Sequence, residues 1–434
     1  MKVGILGGGL SGLALAANLK RHSFEVLEAG SECGGLCRTT IDQGYTFDYG
    51  GAHIIFSRDQ KILGYMLSLL GDNVVQSRRN TKVLYNGRLV KYPFENGLSG
   101  LPPGENLECL LGYAKALAKG KGNPKNLKDW LIARFGKGIA EKYLIPYNEK
   151  IWNLPAAELG TSWVEGRVPQ PPFLDVLKAS LGMGSEGYTH QLNFYYPREF
   201  GIQSLTLALE NKARDRITRN FTVKKVRKEG RKWVVSDGKT EKEFDTLVST
   251  IPIHSLAAAI GGIPKGVRQS IAGLKFNSVA TVMLGINTPK LNSISWMYFP
   301  GSEPFNRVAF PSNFSPRAAP VGKSSAVAEA TYREGDEISR MSDRKLLEET
   351  VSALHGDKLI NKSFIGHAAV RRAKYAYVLH DLDYEENSAA ARDYFKHLGI
   401  HLCGRFSEFR YLNMDACISS AMKKAAELER RKTI

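Results

Sequence analysis

Apolar residues fall in short runs at the start of the chain and at helical spacing further on. The run over 2–6 is apolar and ends on glycine, which reads as a buried strand; 13–20 carries the spacing of a helix, and 24–28 reads as the next strand. Residues 82–91 alternate and turn at Asn86-Gly87, the two-residue signal of a hairpin. Leu110, Leu111, Ala114 and Leu117, then Trp130, Leu131, Phe135 and Ile139, predict helices across 107–152, linked by a glycine- and lysine-rich stretch over 119–125. A further helix is expected over 204–213, and strands over 221–235 and 243–251. Within the latter, 246–252 reads as a late strand of the first domain. Alternation over 279–285, 293–299 and 325–331 predicts antiparallel sheet. A strand over 400–405, ending on glycine, and a helix over 415–431 close the chain. No internal repeat or low-complexity segment is visible.

Composition narrows the class. A chain of 434 residues with 43% hydrophobic content is expected to form two or three domains around a sizeable core. No apolar run reaches the roughly 18 residues of a membrane span, so no integral membrane segment is expected. The first apolar run is broken by glycines and lacks a small-residue cleavage site, so it reads as fold rather than leader. Five scattered cysteines make no disulfide framework, and the spacing of Cys33 and Cys37 is a poor metal or redox signal. A reduced, cytoplasmic protein without a metal site is the simple expectation. The net charge of +17 is large but dispersed, with modest clusters at Lys224-Lys225, Arg371-Arg372 and Arg430-Arg431-Lys432. No zinc finger or RNA-binding signature accompanies it, which argues against nucleic acid and leaves an anionic small molecule and a solvated surface to explain the charge.

The first strand and helix frame Gly7, Gly9 and Gly12, and Glu28 ends the second strand. This is the dinucleotide fingerprint. Gly7 permits the turn, Gly9 lets backbone approach a pyrophosphate, and Gly12 lets helix and strand pack closely. The helix N-terminus attracts phosphate, and Glu28 can accept from a ribose hydroxyl. Gly34, Gly35 and Arg38 follow directly and can form a second cradle, with Arg38 aimed at a diphosphate. That element resembles the G-G-x-x-R-T segment of amine-oxidase-type flavoproteins and favours FAD over NAD. The fold expected is α/β. A discontinuous Rossmann-like FAD-binding domain (1–80, 200–275 and 385–434) carries an inserted helical domain (100–190) and an antiparallel β-sheet substrate domain (81–99, 191–199 and 276–384).

Further segments are similar, in the same order, to UDP-galactopyranose mutases. They include 48–57 with Gly50, Gly51 and His53, 91–102 with Tyr92, 147–152 with Asn148 and Trp152, and 163–169 with Arg167. Segments 194–197, 296–300, 305–307 with Arg307, and 404–415 with Arg405, Tyr411, Asn413 and Met414 continue the series. The resemblance implies an isomerase that interconverts UDP-galactopyranose and UDP-galactofuranose on reduced FAD through a flavin N5–sugar adduct, in support of cell-surface glycan synthesis. NADH or NADPH would serve as a transient reductant. It further implies that Arg167 and Arg307 grip the diphosphate and that His53 lies beside the flavin. Gly51, Arg405, Asn413 and Met414 would meet the cofactor. Tyr92, Asn148 and Trp152 would hold uridine, and Tyr377 and Tyr411 the diphosphate. Glu95 and Phe314 depart from the family's glutamine and tyrosine, and Asn413 from its acid. An FAD oxidase or desaturase acting on an amine, tetrapyrrole or polyprenoid is the alternative, and a non-catalytic flavin protein a third reading. A homo-oligomer is possible from the sequence.

Overall fold

The computed structural model describes residues 1–120, 122–164, 167–184 and 192–430. Glu165 and Gly166 of the mutase-like segment, Arg431 and Lys432 of the basic cluster, and parts of the expected domains over 185–191 lie outside the described residues.

A five-stranded parallel sheet organises the cofactor half. Its order is Ile400–Leu402, Thr246–Ser249, Lys2–Leu6, Ser23–Leu27 and Ile217–Thr218. Both faces are covered, which is why its strands read as unbroken apolar runs. Val3, Ile5, Val26 and Val248 pack toward the helices Leu10–Asn18 and Met414–Arg430. Leu6, Leu27, Leu247 and Ile400 pack toward a second cluster that includes the helix Tyr384–Leu398. The first helix starts at Leu10, earlier than its apolar spacing predicts, because Gly9 already caps it.

Two expected strands divide. The stretch 221–235 becomes Lys225–Glu229 and Lys232–Ser236, paired antiparallel across a turn in which Gly230 has φ +57°. The stretch 243–251 becomes Glu241–Phe244, in that small sheet, and Thr246–Ser249, in the parallel one. Asp245 lies between, its N–H donating to the Lys2 carbonyl at 2.8 Å.

The second large sheet has seven strands, in the order Ile365–Val378, Phe276–Ile286, Ser324–Tyr332, Arg307–Ala309, Trp296–Tyr298, Thr81–Tyr85 and Arg88–Lys91. All neighbours are antiparallel except Trp296–Tyr298 beside Thr81–Tyr85. The helical part contains Pro103–Lys119, Leu127–Ile139 and Ile145–Trp152 around a core with Tyr113, Phe135 and Trp152. No helix among the described residues is long and apolar enough to cross a membrane.

Candidate active site

The glycine turn and the first helix line, through Gly9, Leu10 and Ser11, a cavity of about 390 Å3. Gly12 sits where a Cβ would lie 2.0 Å from the Gly7 carbonyl oxygen, so no side chain is tolerated and the helix packs against the turn. Gly9 is different: a Cβ there would meet nothing nearer than the Gly35 Cα at 4.0 Å. The second loop reaches the first through Gly34 N–H, which donates to the Gly8 carbonyl at 2.9 Å. Gly9, Gly34 and Gly35 therefore line the cavity as bare backbone, a surface suited to a pyrophosphate at a helix N-terminus.

The cavity continues past Arg405, Asn413 and Met414 to His53, Arg307, Tyr377 and Tyr411. Asn413 and Met414 stand at the start of the helix Met414–Arg430, whose first N–H groups give that wall a positive end. Arg405 is fixed by the carbonyls of Leu412 at 2.6 Å and Ala376 at 3.0 Å. His53 Nδ1 and the Gly51 carbonyl lie 2.7 Å apart. Burial, then the nearby Arg405, pulls the imidazole pKa down to about 4, so the ring is neutral near pH 7. A neutral ring facing a carbonyl donates from Nδ1, which leaves Nε2 as an acceptor.

Arg307 is held by a residue the sequence reading did not single out. Its Nε donates to Glu329 Oε1 at 3.1 Å and its Nη2 to Oε2 at 2.6 Å. Glu329 has no exposed surface and also accepts from Ala52 N–H at 3.1 Å. Burial opposes the charge on Arg307, yet the Glu329 carboxylate keeps its pKa above the ordinary guanidinium range. Arg307 Nη1 has no protein partner among the described residues and stays available to an incoming anion. The signal for Glu329 was the single charged residue in a stretch of small and apolar residues, Ser324–Tyr332.

Other expected residues stand elsewhere. Gly7 and Gly12 shape the turn but do not line the cavity. Gly51 supplies its carbonyl, and a Cβ on it would lie 2.7 Å from Glu329 Oε2. Glu28 accepts from Gly8 N–H at 2.7 Å and Gly30 N–H at 2.8 Å, so its carboxylate holds the turn and keeps only its remaining lone pairs for a ribose. Arg38 is not aimed into the cavity. Its guanidinium covers the Tyr49 ring at 4.5 Å, and its Nε donates to the Gly35 carbonyl at 3.3 Å. Tyr92 packs against Tyr298 with ring centroids 5.0 Å apart, away from the cavity lining.

Asn148 and Trp152, expected at the uridine, bond each other and lie outside the cavity lining. Asn148 Nδ2 donates to the Leu144 carbonyl at 2.7 Å, and its Oδ1 accepts from Trp152 Nε1 at 3.1 Å. Both ends of the amide are engaged within one helix. Trp152 is 4% exposed, its ring meeting Trp163, Tyr377 and Tyr411 edge-on. It braces the two tyrosines rather than offering an open face to a base. Arg167 is exposed and stands outside the cavity, 4.3 Å from the Tyr411 ring centroid and donating to the Tyr411 carbonyl.

The cysteines are all free and buried. Burial pushes the Cys33 and Cys37 thiols up to about 12, so neither is a thiolate near neutral pH.

The whole chain is similar to known proteins. A solved structure of reduced UDP-galactopyranose mutase matches 100% of this chain and 96% of its own, with 24% identity and a TM-score of 0.91. A structure provisionally named as a protoporphyrinogen oxidase, from Exiguobacterium sp. 255-15, matches 99% and 98% with 18% identity and a TM-score of 0.78. Putrescine oxidase bound to putrescine matches 99% and 100% with 18% identity and a TM-score of 0.70. At these identities the likeness establishes the fold. The family described as flavin containing amine oxidoreductase matches residues 10–428. With its glycine turns opening on one cavity, the chain thus belongs to the flavin-containing amine oxidoreductases.

Proposed function

We propose that the chain is a flavin-dependent nucleotide-sugar mutase that interconverts UDP-galactopyranose and UDP-galactofuranose without net redox change. One observation carries this reading. A half-buried guanidinium, Arg307, lines the cavity that the glycine turn also lines, and is fixed by the fully buried Glu329, its Nη1 without a partner among the described residues. Departure of a diphosphate calls for a fixed cation there, and a planar fork bonds phosphate oxygens in two places. The ordered mutase-like segments and the full-length similarity to a reduced mutase support the same reading.

Reduced FAD supplies the nucleophile, an electron-rich ring nitrogen, when it is bound. The protein does the rest. Arg307 stabilises charge on the leaving diphosphate, and Glu329 keeps its fork from turning. Burial raises the Tyr377 pKa, so its phenol stays protonated and can donate to a phosphate oxygen; the Tyr411 ring lines the same wall. Trp152 positions both rings from behind. His53, neutral and tied to Gly51, offers Nε2 as an acceptor beside the cofactor. Arg167 is assigned the second place on the diphosphate, and it reaches the cavity only by passing the Tyr411 ring. NADH or NADPH is the proposed source of electrons for the flavin.

The apolar walls favour a second reading. Ile54, Phe56, Tyr375 and Phe406 also line the cavity, as an oxidase of an amine or polyprenoid would use. The two separate cleanly. Under anaerobic conditions the dithionite-reduced protein is given UDP-galactofuranose, and UDP-galactopyranose is sought by chromatography. Conversion that falls ~100- to 1,000-fold in Arg307→Ala, the usual effect of removing one transition-state donor, upholds the mutase. Absence of conversion, with hydrogen peroxide formed from an amine in air, replaces it with the oxidase.

A further inference from the structure

Behind Tyr411 lies a second recess of about 340 Å3, lined among others by Trp163, Arg167, His380, Arg392 and Arg410. It shares only Tyr411 and Leu412 with the main cavity. Four parts of the chain build it: the segment around Trp163 and Arg167, His380 just after the long strand Ile365–Val378, the helix Tyr384–Leu398, and the loop that carries Arg410.

Among the described residues, the cations lining the recess outnumber the carboxylates that face them. Arg167 donates to a backbone carbonyl, that of Tyr411. Arg392 likewise donates to the Glu408 carbonyl, at 3.4 Å, and has no carboxylate partner among the described residues. Arg410 has a loose ion pair with Glu408 at 3.6 Å, and among the described residues Glu385 is the one acid in the lining. Among these cations sits His380, 8% exposed, its ring stacked on Tyr384 with centroids 3.7 Å apart. Its Nδ1 meets Ser162 Oγ at 3.2 Å, while its buried Nε2 has no hydrogen-bond partner. A buried ring nitrogen left unpaired is costly, and native structures seldom keep one without a reason. Burial, with Arg167, Arg392 and Arg410 around it, holds the imidazole pKa down to about 3. The recess therefore has a strong positive potential and an unsatisfied polar atom together.

We propose that this recess is a second anion site, one that binds the phosphate or diphosphate group of a small molecule outside the flavin cavity. Guanidinium forks on separate elements suit tetrahedral phosphate oxygens, and the His380 tautomer with hydrogen on Nε2 adds a neutral donor. The site does not depend on which reaction the flavin cavity performs. An anion held there competes with the Tyr411 carbonyl for Arg167, so its arrival acts on the wall between the two spaces.

The test uses FAD-loaded protein and inorganic pyrophosphate in isothermal titration calorimetry. Binding should weaken about tenfold or more, 1.4 kcal/mol, in Arg392→Gln and in Arg410→Gln, and remain in Arg307→Gln. Retention of the flavin spectrum shows that each variant is folded, and the exposed position of Arg410 makes that variant the safer of the two. A second arm repeats the titration with excess UDP. Undiminished binding identifies a separate phosphorylated ligand, and competition with the same Arg392 and Arg410 dependence identifies the diphosphate of one nucleotide ligand that reaches both spaces. Absence of binding heat, or binding that is lost in Arg307→Gln but unchanged in both other variants, overturns the proposal.

Discussion

Glu329 stands behind the cavity lining and ties three parts of it together: it fixes Arg307, accepts from Ala52 and fills the space over Gly51. Glu329 is fully buried and Arg307 23% exposed, so removing the carboxylate strands a partly solvated charge, at a cost near the lower end of the ~3–5 kcal/mol of buried pairs. Glu329→Gln should therefore lower the melting temperature sharply, and Arg307→Met combined with Glu329→Met should melt higher than the single Glu329→Gln change. Thermal melts of the three proteins check this. A pair of opposed titrations lies close by. The His53 pKa falls from 6.5 to about 4 through burial. Between those values the unfolded chain takes up a proton that the native ring refuses, so stability is lost as pH falls. Asp48, buried and accepting from Thr39, Tyr196 and Ile202, has its carboxyl pushed by burial from 3.8 up to about 6. There the native state holds the proton, and stability is gained as pH falls. Asp48→Asn removes the second slope. Its melting temperature should drop more between pH 6.5 and about 4 than the parent's does, by the equivalent of about 1.4 kcal/mol per pH unit of uncompensated histidine.

Glycines in one turn have unlike tasks. Gly12→Ala places a methyl 2.0 Å from the Gly7 oxygen and should prevent the first helix from docking, with loss of soluble protein. Gly9→Ala meets no protein atom within 3.5 Å, so the chain should fold with a normal melt and yet lose flavin on gel filtration. The strand–turn–helix unit was legible because its code is local, as was the hairpin at Asn86-Gly87, which joins Thr81–Tyr85 to Arg88–Lys91. Helices at 103–119 and 145–152 were legible from apolar spacing. The long strand Ile365–Val378 was not: it is an edge strand with exposed charges such as Arg371 and Lys374, and no apolar run marks it. The same division holds in the cavity. Arg307, Tyr377 and Arg405 could be named from short motifs, whereas the Arg307–Glu329 pair comes from the register of two strands. The bond between Asn148 and Trp152 belongs to the same local code. Residues four apart on a helix face each other, and these two bond each other.

At the scale of the molecule, the flavin sheet is assembled from distant pieces, with Lys2–Leu6 at its centre and Ile400–Leu402 at one edge. The segment after that edge strand brings Arg405, Asn413 and Met414 to the cavity and ends in a helix packed on Leu10–Asn18. Deleting residues 400–434 should give protein that neither holds flavin nor melts cooperatively, as absorbance and calorimetry would reveal. The order of strands also has a consequence for biosynthesis. On the ribosome the glycine turn emerges long before Ile400–Leu402 and Met414–Arg430, so its sheet lacks an edge strand and a packing helix until those segments follow. The intervening hairpins and helical pairs can close earlier, since their partners are near in sequence. Cofactor capture is thereby deferred until the helix Met414–Arg430 has emerged, and a nascent chain stalled before that helix should be colourless.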